Sequence, residues 1–252
     1  MKKTGAYEWG GKMITIADGC EHNCRYGYCR AMAMQYRHFK KEDWPIMKIR
    51  QQEVDRDRPL YKNQPVFFQS ASDITPSILD ECLCVLRKLL DAGNHVLIVS
   101  KPNFECISLI CDTLLEYQGQ ILFRFTIGST DDAVLRFWES GAPNFMSRHA
   151  SLMYAHQRGY KTSVSCEPYL SDPRTVYDKL IKEITDTLWV GKLNQFSRRV
   201  DLRDVTPEEH QRFVIPLVKS IQVPAVREIY ERMKSLPKIR FKDSIREVVE
   251  GK

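Results

Sequence analysis

Three cysteines, Cys20, Cys24 and Cys29, fall within ten residues near the start of the chain. Cysteine thiolates at this density are typical of metal sites. Three thiolates from one loop can hold three irons of a four-iron, four-sulfur cubane and leave the fourth iron open, whereas electron-transfer clusters usually take four cysteines. The spacing therefore predicts an iron-sulfur cluster with one iron available for chemistry.

Structural zinc is the main alternative, because Cys20, His22, Cys24 and Cys29 would provide three sulfurs and one nitrogen. Zinc sites usually draw on two separated pairs of ligands, and ligands at alternate positions of one short segment do not fit that pattern. We interpret His22 as a residue that bonds the loop backbone. A chance group of packing cysteines is the remaining alternative.

Four other cysteines, Cys82, Cys84, Cys106 and Cys111, fall on or beside predicted helices. Free cysteine behaves as a small buried hydrophobe, so we expect these four to pack in the core.

The composition is that of an ordinary folded protein: among 252 residues, 43% are hydrophobic and 28% are charged. The net charge of +6 permits contact with nucleic acid or anionic substrates, but dedicated nucleic-acid-binding domains are usually more basic. Lys2 and Lys3 precede no apolar run of signal-peptide length, and no stretch of about 18 apolar residues occurs. We expect a cytoplasmic protein without a membrane segment, in which the cysteines stay reduced.

The elements that must position the cysteine loop follow a regular alternation of strand and helix. The predicted strands are 13–19, 65–73, 95–102, 121–129, 161–168 and 187–194. The predicted helices between and after them are 31–39, 76–92, 104–117, 131–140, 147–158 and 173–184. Six such units without a glycine-rich dinucleotide loop fit an α/β fold with a partial (β/α)6 barrel better than a doubly wound sheet.

The pattern changes after residue 200. Thr206 to Glu209 forms a capping box that opens a helix, Pro216 is expected to kink this helix, and another helix is expected to begin near Pro224. We therefore predict a barrel domain over residues 1–199, with its cluster loop at 19–30, and a helical C-terminal extension over residues 200–252.

The segment Gly19-Cys20-Glu21-His22-Asn23-Cys24-Arg25-Tyr26-Gly27-Tyr28-Cys29 resembles the cluster loop of the radical S-adenosylmethionine superfamily, in its spore photoproduct lyase-like branch. The branch commonly has its third cysteine at the position of Gly27, and this chain has Cys29 instead. Gly27 can adopt backbone angles that other residues avoid, so we expect a bulged turn that still brings Cys29 to the cluster.

Further motifs of the same family appear in order between about residues 15 and 195. Residues 70–76 (SASDITP) resemble the segment after its second strand, and residues 99–102 (VSKP) resemble the segment after its third strand. Residues 141–148 (GAPNFMSR) resemble its Gly-Ala-Pro run, in which Arg148 serves either the substrate or the fold. Fold likeness alone does not fix a substrate.

The resemblance implies a radical S-adenosylmethionine enzyme, of lyase or transferase class. The cofactors would be a 4Fe-4S cluster and S-adenosylmethionine. Flavodoxin or ferredoxin would reduce the cluster, and S-adenosylmethionine would then be cleaved to a 5′-deoxyadenosyl radical. This radical would abstract hydrogen from a substrate. Nucleic acid is one candidate substrate, and a peptide or a small molecule is the alternative. The non-enzymatic alternative is a zinc-stabilised nucleic-acid-binding module.

Residues at the carboxyl ends of barrel strands are the candidates for cofactor binding. They are Ser70, Ser72, Asp73, Ser100, Lys101, Thr126, Ser129 and Glu167. Arg124 is a further candidate inside a strand, and the resemblance adds Tyr28 beside the adenine. Lys101 is the leading candidate for the methionyl carboxylate, because a buried lysine needs an anionic partner. Arg124 lies within an apolar strand and must face the lumen or a carboxylate. Cys166 is the candidate catalytic residue, as a redox group or hydrogen donor near the barrel mouth.

Overall fold

The computed structural model describes residues 8, 11–37, 39–62 and 64–251. Lys2, Lys3 and His38, which belongs to the predicted helix 31–39, lie outside the described residues. Within the described part, strands of a parallel sheet alternate with helices, so the predicted α/β class is confirmed.

The strands are β1 (Lys12–Ile14), β2 (Ala17–Asp18), β3 (Lys48–Ile49), β4 (Val66–Phe68), β5 (Val96–Ser100), β6 (Ile121–Thr126), β7 (Lys161–Cys166), β8 (Leu188–Val190) and β9 (Ile239–Phe241). Among the described residues, seven of them form one parallel sheet in the order β1-β4-β5-β6-β7-β8-β9. The strands β2 and β3 form a separate antiparallel pair. The parallel sheet brings the carboxyl ends of its strands to one edge, where the active sites of β/α barrels lie.

The α-helices are α1 (Tyr28–Tyr36), α2 (Gln51–Asp55), α3 (Leu79–Asp91), α4 (Phe104–Thr113), α5 (Asp132–Trp138), α6 (Phe145–Gln157), α7 (Pro173–Leu180), α8 (Phe196–Arg199), α9 (Pro207–Glu209), α10 (Ile215–Ser220), α11 (Val223–Met233) and α12 (Asp243–Glu250). Short 3-10 helices cover Pro76–Ile78, Leu115–Gln120 and Ile181–Glu183. Several helices begin at a residue whose side chain caps the first turn. The side chains of Asn103, Asp131, Asn144 and Asp172 each accept a hydrogen bond from a backbone N–H of that turn.

Several observed strands are shorter than predicted at their carboxyl ends. The predicted strands 65–73, 95–102 and 121–129 end at Phe68, Ser100 and Thr126. The predicted strand 13–19 divides into β1 and β2, and Gly19 follows with a φ of 88° that favours glycine. The residues beyond the strand ends leave the sheet, which makes them available to the site.

The segment after residue 200 agrees with the prediction in its helix starts and adds a strand. The capping box of Thr206 and Glu209 is present, and α11 begins at Val223 as expected. In place of a simple kink at Pro216, a π-helical stretch over His210–Val214 precedes it, which is consistent with a proline that cannot donate the usual helical hydrogen bond. The strand β9 was not predicted. It pairs with β8 across the proposed domain boundary at residue 200, which stays a prediction.

The core lies between the sheet and its helices. Cys82, Cys106 and Cys111 are buried there, as predicted. The prediction for Cys84 is wrong, because Cys84 is exposed on the opposite face of α3 from Cys82 and Leu86. Among the described helices, none combines the length and apolar composition needed to cross a bilayer.

Candidate functional site

A cavity of about 210 Å³ lies at the carboxyl ends of β4, β5 and β6. The loop that carries the three clustered cysteines forms one side of it. Nine of the residues predicted for the site line this cavity: Cys20, Cys24, Cys29, Tyr28, Ser70, Ser72, Asp73, Lys101 and Thr126. The chain therefore brings the cysteine loop and the polar ends of three strands to one place.

Backbone hydrogen bonds tie the cysteine loop to two distant segments. The Cys20 N–H donates to the Trp44 carbonyl over 2.9 Å, and the Arg25 N–H donates to the Trp138 carbonyl over 2.9 Å. Cys20 and Cys24 are buried, whereas Cys29 is partly exposed. The loop is thus a fixed part of the fold on both sides of Cys24.

Cys29 reaches the cavity by a different route from the one expected. Gly27 has a φ of −58°, which any residue adopts, and it lies directly before α1, so Cys29 stands in the first turn of that helix. The expectation that Gly27 uses unusual backbone angles is therefore wrong. Glycine is favoured there by close packing, because a Cβ atom would lie 3.2 Å from the Cys24 carbonyl oxygen.

Asp73 is the centre of the polar contacts in the cavity. Its Oδ2 lies 2.8 Å from His22 Nδ1 and 3.2 Å from Lys101 Nζ. Its Oδ1 accepts hydrogen bonds from the Lys101 backbone N–H (2.6 Å) and from the Ser100 hydroxyl (3.2 Å). The Cys20 thiol is 3.7 Å from Oδ2. These contacts join the cysteine loop to the carboxyl end of β5.

The charges around Asp73 stabilise one another. Burial alone would raise the pKa of the Asp73 carboxyl, but the Lys101 ammonium and His22 outweigh it and hold that pKa well below its usual value. Burial likewise opposes the charge on Lys101, yet the Asp73 carboxylate raises the Lys101 pKa well above its usual value. The predicted need of Lys101 for an anionic partner is thus met within the protein by Asp73.

The two serines nearest to Asp73 have partners in the protein. The Ser72 hydroxyl accepts a hydrogen bond from Gln69 Nε2 over 3.0 Å, and Gln69 Oε1 accepts one from the Ile16 N–H. The Ser100 hydroxyl also accepts from the Ile74 N–H over 3.1 Å. Ser100 therefore organises the strand end beside the cavity, and Gln69, which also lines the cavity, was missed by the sequence analysis.

Arg124 and Ser129 are not among the residues that line this cavity. Arg124 was predicted to face either the lumen or a carboxylate, and it contacts a carboxylate. Its Nη2 lies 3.3 Å from Asp186 Oδ2, and its Nε donates to the Ser163 hydroxyl. Burial lowers the Arg124 pKa to about 10. The Ser129 hydroxyl accepts from the Asp131 N–H over 3.0 Å, in the turn that opens α5.

Glu167 faces a second group of charges formed with the C-terminal segment. Its Oε2 lies 3.6 Å from the buried Lys242 ammonium, which also lies 3.0 Å from the Glu8 carboxylate. Burial raises the pKa of the Glu167 carboxyl, although Lys242 opposes the rise. Sequence reasoning missed Lys242 because its partners are far away along the chain.

Cys166 lies in the hydrophobic core and is fully buried. Its neighbour Ser165 is in register with Thr126, which lines the cavity, and alternate residues of a strand point to opposite faces of a sheet. Cys166 therefore points away from the cavity face.

A second, larger hollow of about 990 Å³ lies beside α1. Tyr28 and Tyr36 line it and are 52% and 63% exposed. Arg198 and Arg199 line it from α8, and the Arg199 guanidinium lies 4.8 Å from the centre of the Tyr28 ring. Because Tyr28 also lines the smaller cavity, the two spaces adjoin at this residue.

No protein-family model and no curated protein matches the chain. Spore photoproduct lyase complexed with dinucleoside spore photoproduct matches with a TM-score of 0.51 and 17% sequence identity, over 91% of this chain and 75% of that chain. A single-residue variant of that enzyme gives 0.52 and 16% with the same coverage. A doubly substituted variant with bound AdoMet and dinucleoside spore photoproduct gives 0.51 and 17%, again with that coverage. The chain therefore has the fold of spore photoproduct lyase.

Proposed function

We propose that the chain is a radical S-adenosylmethionine enzyme in which Cys20, Cys24 and Cys29 hold a four-iron, four-sulfur cluster. The observation that carries the proposal is the convergence of these three cysteines on one cavity that also receives the polar ends of three parallel strands. The likeness of fold to spore photoproduct lyase supports it.

The donor set fits a cluster with one open iron. Among the described residues that line the cavity, Cys20, Cys24 and Cys29 are the cysteines. A fourth cysteine ligand would favour an electron-transfer cluster, whereas three ligands leave one iron for a cofactor. When bound, the reduced cluster would supply the electron that cleaves S-adenosylmethionine to methionine and a 5′-deoxyadenosyl radical.

The cavity side chains have the chemistry that S-adenosylmethionine requires. We assign Lys101 to the methionyl carboxylate, which would share the ammonium with Asp73. Hydroxyls of Ser70, Ser72 and Thr126 are the candidates for the remaining polar groups of the cofactor, and the Tyr28 ring is the candidate for contact with the adenine. Reduced flavodoxin or ferredoxin is the proposed electron donor.

A nucleic acid is the substrate class that the surface favours. Exposed tyrosine rings beside arginines, as in the hollow lined by Tyr28, Tyr36, Arg198 and Arg199, suit base stacking and phosphate contact. Binding of a labelled oligonucleotide should weaken in Arg198→Ala and remain unchanged in Arg174→Ala, whose side chain pairs with Asp178 on α7. Equal binding by the two variants, or faster turnover with peptides alone, would contradict this substrate class.

A zinc site is the alternative that one observation favours. Donor atoms of Cys20, His22 and Asp73 lie within 4.8 Å of one another and are buried. The Lys101 ammonium, however, lies 3.2 Å from Asp73 Oδ2, so a divalent cation held by Asp73 would meet a positive charge. The group is better explained as an ion-pair network.

Formation of 5′-deoxyadenosine tests the proposed reaction without knowledge of the substrate. The chain would be reconstituted anaerobically with iron and sulfide, reduced, and given S-adenosylmethionine, and the products would be separated by chromatography. We expect slow formation of 5′-deoxyadenosine that requires the reductant. A fully loaded, reduced protein that forms none would contradict the proposal.

A further inference from the structure

Three polar side chains, Tyr26 of the cysteine loop, Glu139 and Arg148, form a buried network. The Tyr26 hydroxyl donates to Glu139 Oε1. The other carboxylate oxygen, Oε2, lies 2.6 Å from Arg148 Nη2, and the side chains of this ion pair are both 0% exposed. The chemistry proposed above uses none of the three.

The remaining donors of Arg148 attach the network to the barrel. Its Nε donates to the Pro143 carbonyl over 2.8 Å, and its Nη1 donates to the carbonyl of Thr126, the last residue of β6, over 3.3 Å. The network therefore connects the cysteine loop to the carboxyl end of a central strand.

Stability alone is a poor reason for such an ion pair. The cost of removing two charges from water usually cancels their attraction, so apolar residues of similar volume would serve the core as well. Directional hydrogen bonds instead hold their members in one arrangement, and the network has such bonds from Tyr26 to Glu139 and from Arg148 to the Pro143 and Thr126 carbonyls.

Tyr26, the network residue in the cysteine loop, is part of the turn that carries Cys24. The Gly27 N–H donates to the Cys24 carbonyl over 3.1 Å, and Tyr26 lies within this turn. The tyrosine end of the network therefore lies inside the hydrogen-bonded turn that begins at Cys24.

We propose that Tyr26, Glu139 and Arg148 are positioning residues for the cluster. They fix the turn that carries Cys24. The inference rests on the proposed function of the cysteine site. Loss of a group that orients a metal ligand typically costs about 10- to 100-fold in metal affinity.

Two tyrosine variants test the inference. Tyr26→Phe removes the hydroxyl that contacts Glu139, and Tyr160→Phe is the matched control, because Tyr160 is also buried and its hydroxyl donates to the Cys111 carbonyl over 2.7 Å. The measurements are the rate at which a chelator removes iron from the reconstituted protein and the electron paramagnetic resonance spectrum of the reduced cluster.

We expect Tyr26→Phe to lose iron about 10 to 100 times faster than the parent, with an altered spectrum, and Tyr160→Phe to match the parent. Equal iron loss and unchanged spectra in both variants would overturn the positioning role of Tyr26 and leave the proposed function intact. A parent chain that takes up no iron would overturn the proposed function together with it.

Discussion

Asp73 determines the polar side of the site. Its two oxygens hold His22, Ser100 and Lys101 at once, so its carboxylate is committed to the protein. The contacts that it makes span 51 residues to His22 and 28 residues to Lys101. A change at Asp73 would therefore disturb the cysteine loop and the lysine together, whereas changes at its partners can separate their roles.

Replacing Lys101 by alanine removes the ammonium proposed for the methionyl carboxylate. A hydrogen bond to a charged group contributes about 1.5 to 3 kcal/mol, so S-adenosylmethionine binding should weaken roughly 10- to 100-fold while the iron content stays unchanged. Equilibrium dialysis with the reconstituted protein measures the affinity. Lys88→Ala is the control, because Lys88 Nζ donates to the carbonyls of Val54 and Asp55, each over 2.9 Å. Equal affinities in the two variants would show that Lys101 does not bind the cofactor.

Replacing His22 by alanine should leave the iron in place. The ring nitrogen Nδ1 is already engaged with Asp73, so the expected effect is a loss of about 1 to 3 kcal/mol in the free energy of unfolding. Denaturation and iron analysis of the same preparation measure both quantities. Iron loss as complete as in Cys20→Ala would identify His22 as a ligand.

The predicted cavity residues outside the cysteine loop share a simple position, at or just beyond the end of a strand. Ser70, Asp73 and Lys101 follow β4 and β5, and parallel strands collect such residues at one edge. The partners of Tyr26 could not be predicted in this way, because Glu139 is 113 residues away along the chain and stands after a helix. No local pattern marks a contact of that kind.

The turn between α5 and α6 supports the cysteine loop from outside the barrel. Gly141 in this turn donates its N–H to the His22 carbonyl over 3.1 Å. A Cβ atom at Gly141 would lie 2.1 Å from the Glu21 carbonyl oxygen, so only glycine permits this approach. The Gly-Ala-Pro run noticed in the sequence thus has a structural role against the loop.

Gly141→Ala should therefore displace the cysteine loop. We expect a loss of about 1 to 3 kcal/mol in the free energy of unfolding, as for other overpacked sites, together with weaker iron retention. Gly119→Ala is the control, because nothing lies within 4 Å of a Cβ atom there. Chemical denaturation and iron analysis of both variants test this, and a Gly141→Ala protein as stable as the control would contradict the packing argument.

The strand and helix order was predictable because apolar runs alternate with helical patterns and caps. The ends of the strands were not. Phe68 is followed by seven residues without glycine or proline, and after Ser100 and Thr126 the first such residues are Pro102 and Gly128. The strand β9 was missed for another reason: its three residues, Ile239–Phe241, lie in a basic stretch and are too few to show a period.

The C-terminal segment contributes a strand to the main sheet and a buried lysine to a group of charges. The strand β9 extends the sheet beside β8, and the Lys242 N–H donates to the Val190 carbonyl over 2.9 Å. The Lys242 ammonium is buried between the carboxylates of Glu8 and Glu167. We therefore expect residues 200–252 to unfold together with the barrel.

Ile245→Ala tests this coupling, because Ile245 on α12 is fully buried in the main core. We expect a loss of about 2 to 5 kcal/mol and a single transition for the whole chain. Calorimetry and circular dichroism measure it, with Ile46→Ala as the control, since Ile46 is 57% exposed. A separate early transition would instead indicate an independent C-terminal unit.

The most direct test of whether Cys20, Cys24 and Cys29 hold a four-iron, four-sulfur cluster is the iron and sulfide content of the anaerobically reconstituted chain. The same measurement is made on the Cys29→Ala variant, with Cys166→Ala as the control. We expect about four irons and four sulfides per chain in the parent and in Cys166→Ala, and no stable cluster in Cys29→Ala. Zinc without iron in the parent, or a full cluster in Cys29→Ala, would contradict it.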